Sequence, residues 1–323
     1  MGVTARRCHH RRVIITVTLN TALDVTYRVP SLRPHTTHRV FDTIERPGGK
    51  GVNVARVLAA LGHRTTVTGF AGGSVGEELR RRLFAAPHSE LITDALVPVE
   101  GQTRRTVGVV DTATGNTTMF NESGPTVGPA EWTAFQQLYG ELLDSGEAEA
   151  VALCGSLPPG VPVGAYADLV RRARAAGVYV LLDTSGEPLR RGLAARPDLI
   201  KPNAEELTGL TGFSEPARAA RDARRRGARA VAASLGADGL LAVTEDGGWR
   251  AQPPDRLAGN PTGAGDSAVA GLLSGHVDGL DWPQRLARAV ALSAATVVAP
   301  AAGEYDPAAY TRTLPKVEVA ATS

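Results

Sequence analysis

The sequence predicts an α/β fold: a mostly parallel β-sheet covered by helices on both faces. Three observations carry that prediction. Short apolar runs recur along the chain, helical patterns separate them, and glycines end several of those patterns. Residues 13–19 are β-branched and apolar, which suits a buried strand. Residues 51–61 place apolar side chains at helical spacing and stop at Gly62, a typical helix terminator. Residues 65–70 return to strand composition. Further apolar runs lie at 150–154, 178–182 and 228–234, with helical patterns at 131–143, 166–176 and 216–226. Strands alternating with helices argue for parallel pairing with both faces buried.

Two segments break the alternation. Residues 25–44 and 97–120 are rich in Thr, Val and Arg and hold no good helix. Within the second, Asp111 to Asn116 separates two strand-like runs and reads as a hairpin turn. Edge strands of the main sheet or a separate small sheet would both explain them.

Composition bounds the function. At 323 residues the chain can bury a full core as one large α/β domain. The net charge is +2, which gives no footing for nucleic-acid binding. The arginine runs at 80–82 and 224–226 have no interleaved aromatics, so they read as solvated faces. The two cysteines, Cys8 and Cys154, lie far apart, and a reducing cytoplasm is expected. No run of about 18 apolar residues exists, so no membrane span is expected. Residues 1–12 lack the apolar stretch of a secretory leader and read as a disordered extension.

The most informative stretch is Pro261-Thr262-Gly263-Ala264-Gly265-Asp266-Ser267, followed by an apolar run. Small residues let a ligand approach the backbone. Free N–H groups at a helix start attract anions. An aspartate there can accept a proton, so a phosphate-sized anion and a general base would meet at one point. A tight turn with an Asp cap explains the same residues. A second glycine-rich approach to a helix is Pro47-Gly48-Gly49-Lys50-Gly51-Val52-Asn53. It has neither P-loop nor dinucleotide-binding spacing.

Together the two motifs make the chain resemble the ribokinase-like, or PfkB, family of carbohydrate kinases. Other blocks follow in the family's order: Thr18 to Asp24, Gly155-Ser156-Leu157-Pro158-Pro159-Gly160, Asp183 to Gly186, Lys201 to Glu206 and Ser234 to Gly239. The resemblance runs from about residue 13 to about residue 300. It implies a three-layer α/β/α sandwich over residues 13–323, with 25–44 and 97–120 as a small β lid. It implies ATP as co-substrate, Mg²⁺ as cofactor and a sugar phosphate as substrate, and it is compatible with a homodimer.

The resemblance also implies residue roles. Asp266 would be the catalytic base, and Gly263, Ala264 and Gly265 would present N–H groups to the transferred phosphoryl. Asp24 would accept from sugar hydroxyls. Gly48, Gly49 and Asn53 match the sugar-contact block. Lys50 either neutralises phosphate or caps locally. Arg104 matches an arginine reaching from the lid, an alternative being its neighbour Arg105. Ser156 matches a site serine. Lys201 would face nucleotide phosphates, with Ser234, Gly236 and Gly265 lining the nucleotide pocket. Asn203 and Glu206 fit the Asn-x-x-Glu motif associated with magnesium, acting through water, although the same pair reads as a helix-capping box. Asp183 either lies near the phosphates or supports its loop.

Within the family, the opening Thr-x-Asn-x-x-x-Asp block, Arg104 and Asn121-Glu122-Ser123-Gly124-Pro125 favour the phosphosugar branch, that of 1-phosphofructokinase and tagatose-6-phosphate kinase. Fructose 1-phosphate, tagatose 6-phosphate and fructose 6-phosphate all remain as acceptors. Thr21, Thr106 and Met119 depart from the branch pattern. Other readings are a kinase for an unphosphorylated sugar or nucleoside, and a non-catalytic sugar-phosphate sensor.

Overall fold

The computed structural model describes residues 13–255, 259–299 and 301–322. The expectation for residues 1–12 lies outside them. The chain runs β1 (Val13–Thr18), β2 (Ala22–Val29), β3 (Thr43–Gly48), α1 (Lys50–Ala60), β4 (Arg64–Ala71), α2 (Gly73–Ala85) and β5 (Ile92–Pro98). Then come β6 (Arg104–Asp111), β7 (Thr117–Asn121), α3 (Pro129–Asp144), β8 (Ala148–Cys154), α4 (Ala165–Ala175), β9 (Tyr179–Asp183), α5 (Gly186–Ala194) and β10 (Leu199–Ile200). The last part is α6 (Ala204–Thr211), α7 (Pro216–Arg226), β11 (Ala230–Ser234), β12 (Leu240–Val243), β13 (Gly248–Gln252), α8 (Ala264–Val277), α9 (Trp282–Val297), α10 (Pro307–Thr313) and β14 (Glu318–Thr322).

The main sheet has ten strands in the order β14-β13-β12-β11-β10-β9-β8-β1-β4-β5. From β5 to β11 the pairing is parallel; β12, β13 and β14 are added antiparallel at one edge. Strand β8 shows how the layers arise. Val151 and Leu153 pack with Phe135, Tyr139, Tyr166 and Leu169 of α3 and α4, whereas Ala150, Ala152 and Cys154 pack with Val54, Leu58, Leu272 and Leu292 of α1, α8 and α9. Alternate side chains therefore feed opposite faces, and each face is dry. The result is the three-layer sandwich with a mostly parallel centre.

Small side chains on the second face let α8 sink deep. Nearly every residue of α8 is buried. A Cβ on Gly271 would lie 2.6 Å from Ala289 Cα, so α9 packs on α8 nearly backbone to backbone. Helix α8 begins at the carboxyl ends of the strands, where open α/β sheets bind ligands.

The second sheet has four strands in the order β3-β2-β6-β7. The β6–β7 hairpin turns through Asp111 to Asn116, with Gly115 at φ +75°. The lid segment expected at 97–120 is corrected at its start. Val97 and Pro98 end β5 of the main sheet, where Leu96 packs beneath α2 and Val97 joins the core beneath α3. Its apolar residues pack under helices on both faces, so β5 is an edge strand of the main sheet and not part of the small one. The segment expected at 25–44 holds strand only at its two ends, because β2 ends at Val29 and β3 begins at Thr43. Among the described residues, no helix is long and apolar enough to cross a membrane.

Candidate active site

The carboxyl ends of β1, β8, β9 and β11 and the start of α8 converge on one face. Gly263 caps α8 in the left-handed conformation, φ +85°, and a Cβ there would meet Ala302 Cα at 2.8 Å. Only glycine fits both constraints. The Ala264 N–H donates to Pro261 O at 3.1 Å. Of the three N–H groups expected to face a phosphoryl group, Ala264's is thus already engaged by the turn. Those of Gly263 and Gly265, together with that of Asp266, have no acceptor among the described residues.

Asp266 sits in this first turn and is buried. Its Oδ2 accepts a 2.9 Å hydrogen bond from Asn53 Nδ2. Burial pushes its carboxyl up to about 6; Lys50 pulls it down, Asp183 pushes it up, and the Asn53 bond and Lys201 pull it down. The neighbouring Asp183 carboxylate is fully buried. Its Oδ1 lies 3.3 Å from Lys50 Nζ and 3.5 Å from Lys201 Nζ, and its Oδ2 has no partner. Burial alone would lower the Lys50 ammonium, but Asp183, Asp266 and Glu206 outweigh it and hold it above its ordinary value.

Asp24 lies across the second sheet from this cluster. A Cβ on Gly48 would fall 2.2–2.4 Å from the carboxyl atoms of Asp24, so the side chain rests directly on the glycine backbone. Burial pushes the Asp24 carboxyl up to about 6 and Asp266 adds to the shift, while Arg104, a hydrogen bond from Thr106 and Arg56 oppose it. Thr106, a departure from the branch pattern, is therefore used. So is Thr21, whose hydroxyl donates to Phe70 O at 2.5 Å. Met119 is 42% exposed and lines the same small cleft as Asp24 and Thr106.

Strand alternation sends the two arginines to opposite faces of β6. Arg104 is half-buried, its Nε 3.3 Å from Asn20 O, whereas Arg105 is exposed and meets Glu122 through its backbone, its N–H donating to Glu122 Oε2 and its carbonyl accepting from Glu122 N–H. A cavity of about 870 Å³ gathers Arg104, Lys50, Ser156 and Glu206 with Thr18 and Asn20. Asn20 Nδ2 donates to Ser156 Oγ at 3.1 Å and to Ser123 O at 3.0 Å. A second cavity, of about 750 Å³, is lined by Asn203, Ser234, Gly236 and Gly265. The buried Lys201 lies beside the Gly265 backbone, since a Cβ on Gly265 would lie 3.6 Å from Lys201 Nζ.

Asn203 and Glu206 form the capping box in full. Glu206 N–H donates to Asn203 Oδ1 at 2.7 Å and Asn203 N–H to Glu206 Oε2 at 2.9 Å. Among the described residues no cluster of three or more His, Cys, Asp or Glu could hold a metal ion.

Sequence reasoning missed Arg56 and Glu304. Arg56 is buried in α1, where its Nη2 donates to Glu304 Oε1 at 2.7 Å and its Nη1 to Ala302 O at 3.0 Å. Arg56 stands in the Gly-Gly-Lys-Gly block, three residues after Asn53, and that spacing was the available signal; Glu304 had none.

Known proteins share this frame. A model for the pfkB family carbohydrate kinases matches residues 15–309. A 1-phosphofructokinase of Rhodobacter capsulatus is 42% identical over 294 residues, 89% of this chain and 92% of that protein. A possible 1-phosphofructokinase of Thermotoga maritima superposes with a TM-score of 0.86 at 27% identity, covering 97% of this chain and 100% of its own. The tetrameric inhibited form of phosphofructokinase-2 from Escherichia coli gives 0.83 at 29% identity, covering 94% and 99%. Fold and relatives define a kinase: a phosphotransferase with an alcohol group as acceptor and ATP as co-substrate. The chain belongs to the pfkB family of carbohydrate kinases.

Proposed function

We propose that the enzyme is a hexose-phosphate kinase that moves the γ-phosphoryl group of ATP onto a primary hydroxyl of a ketohexose phosphate. One observation carries this reading. Asp266, held by Asn53, follows Gly265 on the wall of one cavity, while Lys50, at the head of the Asn53 helix, stands on the wall of the other. A base and free N–H donors therefore lie where two ligands would meet.

In this mechanism ATP occupies the cavity of Ser234, Gly236, Asn203 and Gly265, with Lys201 beneath its phosphates. The sugar lies against Asp24, Gly48, Gly49 and Asn53, its phosphate toward Arg104, Lys50 and Ser156. A guanidinium fork suits that phosphate. The four-stranded sheet acts as the lid and limits transfer to water. Asp266 takes the proton of the attacking hydroxyl. The Gly263 and Gly265 amides stabilise the charge that develops on the phosphoryl group, a contribution of about 3 kcal/mol per donor in comparable sites.

The residues present fit a magnesium ion that arrives with the nucleotide and keeps its waters, because such ions need only one or two protein carboxylates. Glu206 and Asp183, whose Oδ2 is unpartnered, would hold it through water. When bound it neutralises phosphate charge.

The relative named 1-phosphofructokinase supports fructose 1-phosphate as the acceptor, whose remaining primary hydroxyl is the one at C6. The test is ADP release with fructose 1-phosphate, fructose 6-phosphate, tagatose 6-phosphate, fructose, ribose and adenosine, beside Arg104→Ala. Turnover is expected with a phosphohexose, and Arg104→Ala should raise its KM about 10- to 100-fold, the loss of a charge-assisted contact, with the ATP KM unchanged. Turnover restricted to unphosphorylated acceptors would sink the proposal.

A pH dependence accompanies it. Because burial raises Asp266 to about 6, the carboxyl is protonated and idle as a base below that value. The rate, kcat/KM for the sugar, should therefore rise through an acid limb near pH 6. A limb near pH 4, the ordinary carboxylate range, would show that burial does not raise the carboxyl that limits the rate.

A further inference from the structure

The loop after α9 touches both supports of Asp266. Ala302 lies beneath Gly263, close enough that a Cβ on that glycine would meet it at 2.8 Å. Gly303, at φ +74°, lies against Asn53, and a Cβ there would fall 2.8 Å from Asn53 Oδ1 and 2.6 Å from Arg56 Nη1. One support is the cap of α8, and the other is the amide that hydrogen-bonds Asp266. What fixes the loop is Arg56, which donates to Ala302 O, and Glu304, which holds Arg56. Glu304 has a second partner. Arg46 of β3 reaches the same Oε1 at 3.2 Å, and Arg46 pairs in register with Asp24 across β2 and β3.

We propose that Arg56 and Glu304 are positioning residues for the catalytic base, and that Glu304 ties the base's support to the sugar-binding sheet through Arg46. The inference rests on Asp266 being the base. Arg56 keeps the 302–303 backbone pressed against Asn53 and under Gly263. Glu304 shares one carboxylate oxygen between the main body and β3, so a shift of the second sheet bears on the same loop that seats Asn53. Neither residue touches a ligand cavity that holds the reacting groups.

The test compares Glu304→Gln, Arg56→Lys and Arg46→Gln with the unaltered full chain, using kcat, both KM values, the pH profile and Tm. Glu304→Gln and Arg56→Lys are expected to lower kcat at least tenfold with the ATP KM unchanged. Both should also move the acid limb to higher pH, because the Asn53 hydrogen bond holds the Asp266 carboxyl down. Lys50, Lys201, Asp183 and Asp24 face that carboxyl too; none is itself substituted, and Arg56→Lys keeps the positive charge that acts on Asp24. Arg46→Gln should raise the sugar KM and leave the limb in place. A merely structural pair would lower Tm and the fraction of active enzyme without moving the limb, and that result overturns the proposal. So does wild-type kcat in both variants. An Arg46→Gln enzyme with wild-type KM overturns the tie to the second sheet. Asp266→Asn, run alongside, separates the two questions. If it is active, the base assignment fails and the inference with it; if it is inactive while the pair is without effect, the inference alone fails.

Discussion

Asp266→Asn should lower kcat by about 10²- to 10⁴-fold, the usual contribution of a positioned general base. The substitution keeps the shape of the side chain. Its amide oxygen can still accept from Asn53 Nδ2, now at 2.9 Å from Asp266 Oδ2, so the start of α8 should hold its place. Both KM values should stay within a few-fold. Stability points the same way. Burial raises the Asp266 carboxyl to about 6, which means that the charged form is disfavoured inside the fold. Removing that charge should leave Tm at pH 8 equal to or above that of the unaltered enzyme. Steady-state kinetics with a melting curve decides the matter: a kcat within tenfold of wild type would remove Asp266 from the chemistry.

Gly48→Ala should cost about 100-fold in kcat/KM for the sugar while sparing the KM for ATP. The added methyl would sit 2.2–2.4 Å from the Asp24 carboxyl atoms, and Asp24 would have to swing away from Thr106. The backbone itself is not strained, since Gly48 does not adopt a positive φ. The whole effect is therefore displacement of one carboxylate by about 1 Å, a misplacement that costs about 10²-fold when it disturbs substrate geometry. Gly140 provides the contrast, because a Cβ there meets nothing within 4 Å and its φ is not positive. Unchanged sugar kinetics in the Gly48→Ala enzyme would show that Asp24 does not hold the sugar.

Local features were legible in the sequence. The helix expected at 216–226 matches α7, and that at 51–61 lies one residue from α1, because Gly227 and Gly62 end them. Strands β12, β13 and β14 were not foreseen. In β14 the exposure pattern shows no clean alternation, so its partner rather than its own composition makes it a strand. The site divides in the same way. The Gly263–Asp266 turn is a local matter of small residues before a helix and could be read directly. The contact of Asp24 with Gly48 depends on the β2–β3 register, which places Asp24 opposite Arg46. The ion pair of Arg56 and Glu304 joins positions 248 apart, and nothing in a linear pattern brings them together. Asn203 and Glu206 were readable as a cap or as magnesium ligands, and the cap is formed.

The chain passes between the two sheets at four places: after β1, before α1, before β6 and after β7. Asn20, Gly49 with Lys50, Arg104 and Ser123 stand at these four crossings. All four crossings reach one cavity: Asn20, Lys50, Arg104 and Ser123 line the space of about 870 Å³. The joint and the proposed binding surface are thus the same few residues. A molecule seated there acts as a removable rivet through both halves, and its affinity and the stiffness of the joint are two readings of one free energy.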